Sequence, residues 1–124
     1  MIIPEQNILL IEDDLDINEA IQSILKDENF NVDAVFNGKE ALEYLKNSHH
    51  NPSLILIDLM MPLMNGLQFR EAQLQDPRIA NIPTVMLSAS NNFEDINKLK
   101  FQGYLPKPLD LDTLINIVRK FIKL

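Results

Sequence analysis

The hydrophobic positions of the chain alternate between short apolar runs and segments in which apolar residues recur at helical spacing. This alternation occurs five times along the sequence, and it is typical of βα units wound around a parallel sheet. Continuous apolar runs indicate strands that are covered by helices on both faces. The pattern therefore predicts an α/β fold built on a doubly wound parallel sheet.

The apolar runs predict five strands, and the sequence also predicts where the third and the fifth strand lie in the sheet. Leucines and isoleucines dominate the third run, which leads directly into Asp58, so we expect this strand at the centre of the sheet. The fifth run is followed by Pro106, which has no N–H group to donate to a ladder, so we expect that strand at an edge. The predicted strands are Asn7 to Ile11, Asn31 to Val35, Leu54 to Ile57, Pro83 to Leu87, and Tyr104 with Leu105.

Helices are predicted between and after the strands from the spacing of their apolar residues. Asp16 is the predicted N-cap of the first helix, with Glu19 three residues later as in a capping box, and Asp110 is the predicted N-cap of the last. The remaining helices are predicted at Lys39 to Lys46, at about Leu67 to Gln75, and, as a short fourth helix, at Asn91 to Lys100.

Composition narrows the possible classes of protein. The 124 residues include 18 acidic and 11 basic side chains, a net charge of −7, which favours one acidic domain over residues 1–124 and disfavours a nucleic-acid-binding surface. The absence of cysteine excludes disulfides, cysteine nucleophiles and thiolate metal sites, and it fits the cytoplasm, where we expect the protein to act. No signal-peptide pattern opens the chain, and no segment approaches the roughly 20 apolar residues of a membrane span, so we expect neither secretion nor membrane insertion.

Candidate chemistry lies where the apolar runs end, because open parallel sheets bind ligands at the carboxyl ends of their strands. Carboxylates that meet there repel each other unless a cation neutralises them, and oxygen ligands without Cys or His favour Mg²⁺. Lysine and serine favour a phosphate, and a carboxylate can itself accept a phosphoryl group. Ser88 or Lys107 alone would be ordinary loop chemistry, and an acidic run can be a solvated loop, but a carboxylate that ends the most buried strand is costly without a partner, although it could also cap the following turn. The residues occur together in chain order: Glu12, Asp13 and Asp14, then Asp58, Ser88 and Lys107.

These positions resemble the receiver domain of two-component response regulators, of the kind typified by chemotaxis regulators. The resemblance covers essentially the whole chain and is carried by four stretches: ILLIEDD at 8–14, LIDLMMPLMNG at 56–66, PTVMLSA at 83–89, and GYLPKP at 103–108. It implies a flavodoxin-like (βα)5 three-layer sandwich with the parallel strand order 2-1-3-4-5, which agrees with the edge position that Pro106 requires.

The resemblance also implies a role for each site residue. Asp58 would be the phosphoacceptor, while Asp13, Asp58 and the backbone carbonyl of Met60 would coordinate Mg²⁺, and Glu12 would contribute through a bound water. Ser88 and Lys107 would hold the phosphoryl oxygens during transfer. The peptide bond between Lys107 and Pro108 would be cis.

A switch and a set of partners follow from the same resemblance. Phosphorylation would draw Ser88 inward, and Tyr104 would rotate into the vacated space, changing the face formed by the fourth helix, the fifth strand and the fifth helix. The donor would be a histidine kinase or a phosphotransfer protein, and the output would be a downstream effector protein or a phosphorylation-dependent dimer, without direct contact to nucleic acid or membrane. The stretch from Ser88 to Tyr104 is about one helical turn shorter than usual in the family.

The methionines around the site carry two further predictions. Met60, Met61, Met64 and Met86 are expected to fill gaps in the packing around the site loop and the fourth strand. An apolar Met60 over the site would restrict attacking water, which favours a long-lived phosphoryl group.

Two other functions stay open on the sequence. A phosphatase that uses Asp58 as a transient nucleophile commonly needs an acid two residues later, where this chain has Met60, and it would also need a cap domain. A receiver that acts only as a phosphorylation-independent binding module would not require the complete set of acids, serine and lysine. We therefore expect a switch that catalyses only its own phosphotransfer and autodephosphorylation, rather than an enzyme with a separate substrate.

Overall fold

The computed structural model describes residues 6–61, 64–88 and 97–122, and its strands and helices belong to these ranges. The strands are β1 (Asn7–Ile11), β2 (Asn31–Val35), β3 (Leu54–Asp58), β4 (Thr84–Ser88) and β5 (Gly103–Pro106). The helices are α1 (Leu15–Asp27), α2 (Gly38–Asn47), α3 (Gly66–Leu74) and α4 (Leu111–Phe121). The predicted strands are confirmed. The predicted fourth helix at 91–100 lies mostly outside the described residues, so the label α4 belongs to the last helix.

The strands form one parallel sheet in the order β2-β1-β3-β4-β5. The most apolar strand, β3, is buried along its whole length and lies in the middle, as predicted. The strand that ends at Pro106 lies at one edge, where a missing N–H costs no ladder hydrogen bond. The strand order confirms the fold class expected from the sequence.

Helices cover both faces of the sheet because neighbouring strand residues point to opposite sides. Ile8 of β1 packs in a cluster with Leu25 of α1 and Val118 of α4. The next residue, Leu9, belongs to a second cluster with Phe69 of α3 and residues of α2. The result is a three-layer sandwich in which α1 and α4 cover one face and α2 and α3 the other.

The start of α1 differs from the prediction. Asp14, not Asp16, is the N-cap: its backbone is extended, and its Oδ1 accepts a hydrogen bond from the Ile17 N–H at 3.0 Å. Asp16 lies in the first turn, where a negative charge is favourable near the positive end of the helix dipole. The acidic loop after β1 is therefore two residues shorter than predicted. At the last helix the prediction is confirmed, since Asp110 accepts from the Thr113 N–H at 3.0 Å.

None of the helices within the described ranges has the length and the apolar character needed to cross a membrane.

A buried arginine joins α3 to the segment before β5. Arg70 is only 1% exposed, and no carboxylate of the described residues forms an ion pair with it. Its charge is held instead by neutral acceptors and by the ring of Phe101, whose centroid lies 5.5 Å away. The acceptors are the backbone carbonyls of Leu99 and Lys100 and the side-chain oxygens of Gln73, Thr84 and Gln102.

This network fixes the residues that lead into the edge strand. Lys100 has a positive φ of 54°, so its backbone takes a strained conformation that needs support from its surroundings. The Arg70 guanidinium supplies that support by donating to the Lys100 carbonyl at 2.8 Å. Burial lowers the pKa of Arg70, but a guanidinium stays charged at neutral pH.

We expect the substitution Arg70→Met to lower the free energy of unfolding by about 3 kcal/mol, because it leaves buried carbonyls without donors. Urea denaturation measures this change. Arg78→Met is the control, since Arg78 forms only an exposed ion pair with Asp76 and its loss should change stability far less. Equal losses in the two variants would show that the Arg70 network does not stabilise the fold.

Candidate functional site

The residues singled out by the sequence meet at the carboxyl edge of the sheet. Glu12 and Asp13 follow β1, Asp58 ends β3, Ser88 ends β4, and Lys107 follows β5. These strands are neighbours in the order β1-β3-β4-β5, so the side chains come from four adjacent strand ends. The structure thus brings together the side chains that the sequence predicted to converge.

Backbone hydrogen bonds hold these strand ends in register. The residue after Asp58, Leu59, donates its N–H to the carbonyl of Leu87 in β4 at 3.0 Å. Lys107 donates its N–H to the carbonyl of Ser88, also at 3.0 Å. Each of these strand ends is therefore fixed against its neighbour, which is the rigidity that a preorganised site requires.

Gly66 allows the start of α3 to pack closely against the backbone of Asp58 and Leu59. A Cβ atom at this position would lie 2.8 Å from the Asp58 carbonyl oxygen and 3.0 Å from the Leu59 Cα. The Gly66 N–H donates to the Leu59 carbonyl at 2.9 Å, and Asn65 caps the helix in a capping box with Gln68. The loop after Asp58 is anchored at its far end by this close contact.

The acidic side chains form a compact cluster. One carboxylate oxygen from each of Glu12, Asp13 and Asp58 lies within 4.8 Å of the others. Glu12 and Asp58 are buried, whereas Asp13 is exposed. Two buried carboxylates and a third beside them are costly unless positive charge compensates them.

Lys107 supplies part of that positive charge. Its Nζ donates to Glu12 Oε1 at 2.8 Å and lies 3.2 Å from Asp58 Oδ1, with 19% of its side chain exposed. Burial by itself would lower the pKa of Lys107, but the Glu12 and Asp58 carboxylates outweigh burial and raise it. The lysine is therefore charged, and it bridges the acids that follow β1 and end β3.

Glu12 shows that the compensation is incomplete. Burial, and after it the neighbouring Asp58 carboxylate, raises the pKa of Glu12 to about 7 despite the ion pair with Lys107. The Oε2 atom of Glu12 is buried and accepts no hydrogen bond from the described residues. A buried acceptor of this kind is commonly satisfied by water or by an ion.

The donor set fits a hard divalent cation. It consists of oxygens only, and three carboxylates against one ammonium leave a net charge of about −2 when all are ionised. Mg²⁺ usually takes one or two carboxylates and keeps several waters, so a water on the ion could donate to the unpartnered Glu12 Oε2. The residues present therefore match what Mg²⁺ requires.

Ser88 ends the strand next to the one that Asp58 ends, and Tyr104 is in contact with Ser88. Ser88 is buried at the end of β4, and the half-buried Tyr104 donates its hydroxyl hydrogen to the Ser88 backbone carbonyl at 3.2 Å. The ring of Tyr104 packs against a small cluster formed by Leu59 and Met86. Tyr104 is thus in contact with the strand end that carries the serine.

The Lys107–Pro108 peptide bond is cis, as the resemblance implied. Ser90, which the sequence places two residues after Ser88, lies outside the described residues.

The packing prediction for the methionines is wrong at one position. Met61 and Met86 are buried and Met64 packs against the core, as predicted. Met60 is 72% exposed and fills no gap, because it stands on the loop immediately after the buried end of β3. Its side chain lies at the surface, on the second residue after Asp58.

Sequence reasoning missed Asn18, which is buried beneath the acidic loop. Its side-chain amide donates to the backbone carbonyl of Glu12 at 2.8 Å. The signal was present in the sequence: Asn18 is an amide within the helical stripe that Ile17 and Ile21 define, where an apolar residue would be expected.

A cavity of about 770 Å³ lies near the amino ends of β1 and β2, away from these residues. It is lined in part by Asn7, Asp33 and Tyr44, and burial raises the pKa of Tyr44 to about 12. Within the described ranges, the grouping of three metal-ligating side chains occurs at the carboxyl edge and not at this cavity. The carboxyl edge is therefore the candidate functional site.

Comparison with known proteins agrees with this assignment. The family described as the response regulator receiver domain matches residues 8–119. The chain is also 36% identical over 124 residues to Response regulator Rre1 of Synechocystis sp. (strain ATCC 27184 / PCC 6803 / Kazusa), an alignment that covers 94% of this chain and 51% of that protein. The chain belongs to the response regulator receiver domain family.

Solved structures share the fold. The receiver domain of the Francisella response regulator 1452 superposes with a TM-score of 0.82 at 29% identity, over 94% of this chain and 96% of that one. The receiver domain of the sensor histidine kinase PA1611 of Pseudomonas aeruginosa PAO1, solved with a magnesium ion in its active site cleft, gives a TM-score of 0.84. At 22% identity over 95% of this chain and 98% of that one, the second likeness shows the fold alone.

The chain spans about half the length of the curated relatives it matches. The similarity is therefore to the receiver part of those proteins.

The raised pKa of Glu12 predicts a pH dependence for the metal-free protein. Between the ordinary pKa of 4.5 and the value of about 7, the folded state holds a proton that the unfolded state has released. The Glu12 contribution to stability is thus fully present at low pH and is lost as the pH rises through about 7.

Glu12→Gln removes this titration. In EDTA, we expect the unfolding free energy of the wild type to fall by about 2 kcal/mol relative to that of the variant as the pH rises from about 5 to about 7. Urea denaturation across this range measures the difference. A difference between the two proteins that stays constant with pH would contradict the raised pKa.

Proposed function

We propose that this chain is a phosphoacceptor receiver domain in which Asp58 takes a phosphoryl group in an Mg²⁺-dependent reaction. The observation that carries the proposal is the arrangement around Asp58: carboxylates of Glu12 and Asp13 within 4.8 Å and the ammonium of Lys107 at 3.2 Å. The donor is a histidine kinase or a phosphotransfer protein, and the output is a change in a protein-binding surface.

Asp13, Asp58 and the backbone carbonyl of Met60 would hold the ion, with Glu12 bound to it through water. When bound, Mg²⁺ neutralises the carboxylates and the oxygens of the transferring group, so that two anionic partners can approach each other. The oxygen-only donor set and the unpartnered Glu12 Oε2 support this assignment.

In the transfer step, an Asp58 carboxylate oxygen forms a bond to phosphorus as the bond from phosphorus to the donor breaks. With a phosphohistidine donor, the imidazole nitrogen leaves with the electron pair of the P–N bond. The product is an acyl phosphate, and no further reactant is consumed. The buried, fixed position of Asp58 at the end of β3 keeps the attacking oxygen in place.

Lys107 and Ser88 serve the phosphoryl group once it arrives. In the structure Lys107 Nζ lies 3.2 Å from the carboxylate oxygen Asp58 Oδ1. It is therefore close enough to form an ion pair with an oxygen of a phosphoryl group on Asp58. Ser88 is buried at the neighbouring strand end and carries a hydroxyl donor on the same edge of the sheet.

The proposed switch passes through Tyr104. Its hydroxyl group is hydrogen-bonded to the Ser88 backbone carbonyl, so an inward movement of Ser88 would disturb this contact. Tyr104 belongs to the edge strand β5, which pairs with β4 and is followed along the chain by α4. The face around β5 is therefore the surface that we expect phosphorylation to change.

An apolar groove beside the site supports a protein as the donor. A cavity of about 290 Å³ lies between α1 and the loop after β5, lined by Ile17, Ala20 and Ile24 on one side and by Pro108 and Leu109 on the other. Lys107 also lines this groove, which places apolar surface directly next to the proposed phosphate-binding lysine. A small-molecule donor would not need such a surface.

Incubation with Mg²⁺ and acetyl phosphate, followed by intact-mass measurement, tests the proposal. We expect a single labile phosphoryl adduct on the wild type and none on Asp58→Asn. Asp33→Asn, which changes an exposed carboxylate on β2, is the control and should retain the adduct.

The alternatives give different results in this experiment. The absence of any adduct on the folded wild type would support a phosphorylation-independent binding module. Steady release of inorganic phosphate at many turnovers would support an aspartate-nucleophile phosphatase.

The exposed Met60 predicts a slow loss of the phosphoryl group. Its apolar side chain cannot orient an attacking water, so Met60→Asn should shorten the half-life of the adduct at least about threefold. Leu74→Asn, a change of an exposed apolar residue at the far end of α3, is the matched control. An unchanged half-life in Met60→Asn would refute this role.

A further inference from the structure

Asn18 is a polar side chain on the face of α1 that packs against the hydrophobic core. It is 0% exposed and shares the buried stripe of α1 with Ile21 and Leu25. A buried amide lowers stability unless its hydrogen-bonding groups are satisfied, so its presence indicates specific partners.

Those partners are the carboxyl ends of two strands. Asn18 Nδ2 donates to the Glu12 backbone carbonyl at 2.8 Å and to the Val35 carbonyl at 3.2 Å. Its Oδ1 accepts from Gln22 Nε2 at 2.6 Å, which fixes the orientation of the amide. Both hydrogens of the Asn18 amide nitrogen are therefore directed at backbone oxygens.

The bond to the Glu12 carbonyl has a geometric consequence for the next residue. The carbonyl of Glu12 and the N–H of Asp13 belong to one planar peptide unit, so holding the oxygen also fixes the orientation of the plane from which Asp13 extends. The helix N-cap, Asp14, follows immediately, which leaves Asp13 as the only residue between this plane and the cap.

We propose that Asn18 is a positioning residue for the metal site: it holds the Glu12–Asp13 peptide so that the exposed Asp13 carboxylate lies beside that of Asp58. This inference rests on the proposed function, because it assumes that the acidic cluster binds Mg²⁺. Asn18 acts through the backbone and does not itself contact the ion.

Gln73 offers a matched control from the same protein. It is also a 0% exposed amide on a helix, and its Nε2 donates to two backbone carbonyls, those of Ile79 and Ile82, at 3.0 and 3.1 Å. Those carbonyls lie in the connection between α3 and β4, before β4 begins, whereas the acidic cluster lies where the strands end. Its Oε1 also accepts hydrogen bonds from Arg70 and from Thr84 at the start of β4. Gln73→Leu therefore removes at least as much buried hydrogen bonding as Asn18→Leu, and none of the lost bonds involves a residue of the acidic cluster.

Titration calorimetry of the full chain with MgCl₂ tests the inference, together with urea denaturation of the same samples. We expect Asn18→Leu to weaken Mg²⁺ binding about tenfold, as is typical when a group that orients a metal ligand is lost. Gln73→Leu should lose stability but bind Mg²⁺ with the affinity of the wild type.

Gln22→Met provides a second variant in case Asn18→Leu does not fold. Gln22 is half-buried beside Asn18. Its loss removes the bond that orients the amide and an exposed hydrogen bond from Lys26, but it leaves the Asn18 amide in place, so we expect a smaller but measurable weakening of Mg²⁺ binding.

The outcomes separate the inference from the proposed function. Weaker binding in Asn18→Leu or Gln22→Met, with Gln73→Leu unchanged, supports the positioning role. Wild-type affinity in Gln22→Met and in folded Asn18→Leu overturns that role and leaves the proposed function standing. No Mg²⁺ binding by the wild type overturns the metal site, and the inference with it.

Discussion

The structure depends on the contact between the Lys107 ammonium and the carboxylates of Glu12 and Asp58. Two acids buried at neighbouring strand ends would repel each other without it. The contact joins the end of β1 and the end of β3 to the residue after the edge strand β5, so one side chain ties together strands that are far apart in the chain. The site exists because the parallel sheet brings these strand ends to a single edge.

Buried charge is compensated differently at the amino and the carboxyl ends of the strands. At the start of β4, the Arg70 guanidinium has its hydrogen bonds satisfied by neutral acceptors, which suits a permanent structural role. At the carboxyl edge the acids outnumber the lysine, and the pKa of Glu12 rises to about 7 as a result of burial beside Asp58. The remaining negative charge is what the proposed divalent cation would neutralise before a phosphoryl group approaches. The buried charge at the amino ends of the strands thus stabilises the fold. At the carboxyl ends, where the proposed chemistry takes place, negative charge is left uncompensated.

Much of the fold could be predicted because its signals are local. Apolar runs specify the strands, and the missing N–H of Pro106 places β5 at an edge. The residues at the strand ends then follow from the geometry of parallel sheets. The predicted cap of α1 was wrong because Asp14 and Asp16 are chemically equivalent candidates, and only the extended backbone of Asp14 decides between them. The roles of Asn18 and Arg70 depend on acceptors elsewhere in the fold, including backbone carbonyls, which a pattern of side chains along the chain does not reveal.

In the proposed reaction, Asp58 is the residue that carries the phosphoryl group. Sodium borohydride reduces an acyl phosphate to an alcohol, so it would convert a phosphorylated Asp58 to homoserine, and peptide mass spectrometry would locate the change. After reaction with acetyl phosphate, we predict reduction at Asp58 alone, and only in samples that contain Mg²⁺. Reduction at Asp13 or at another carboxylate instead, or equal reduction in EDTA, would contradict the account.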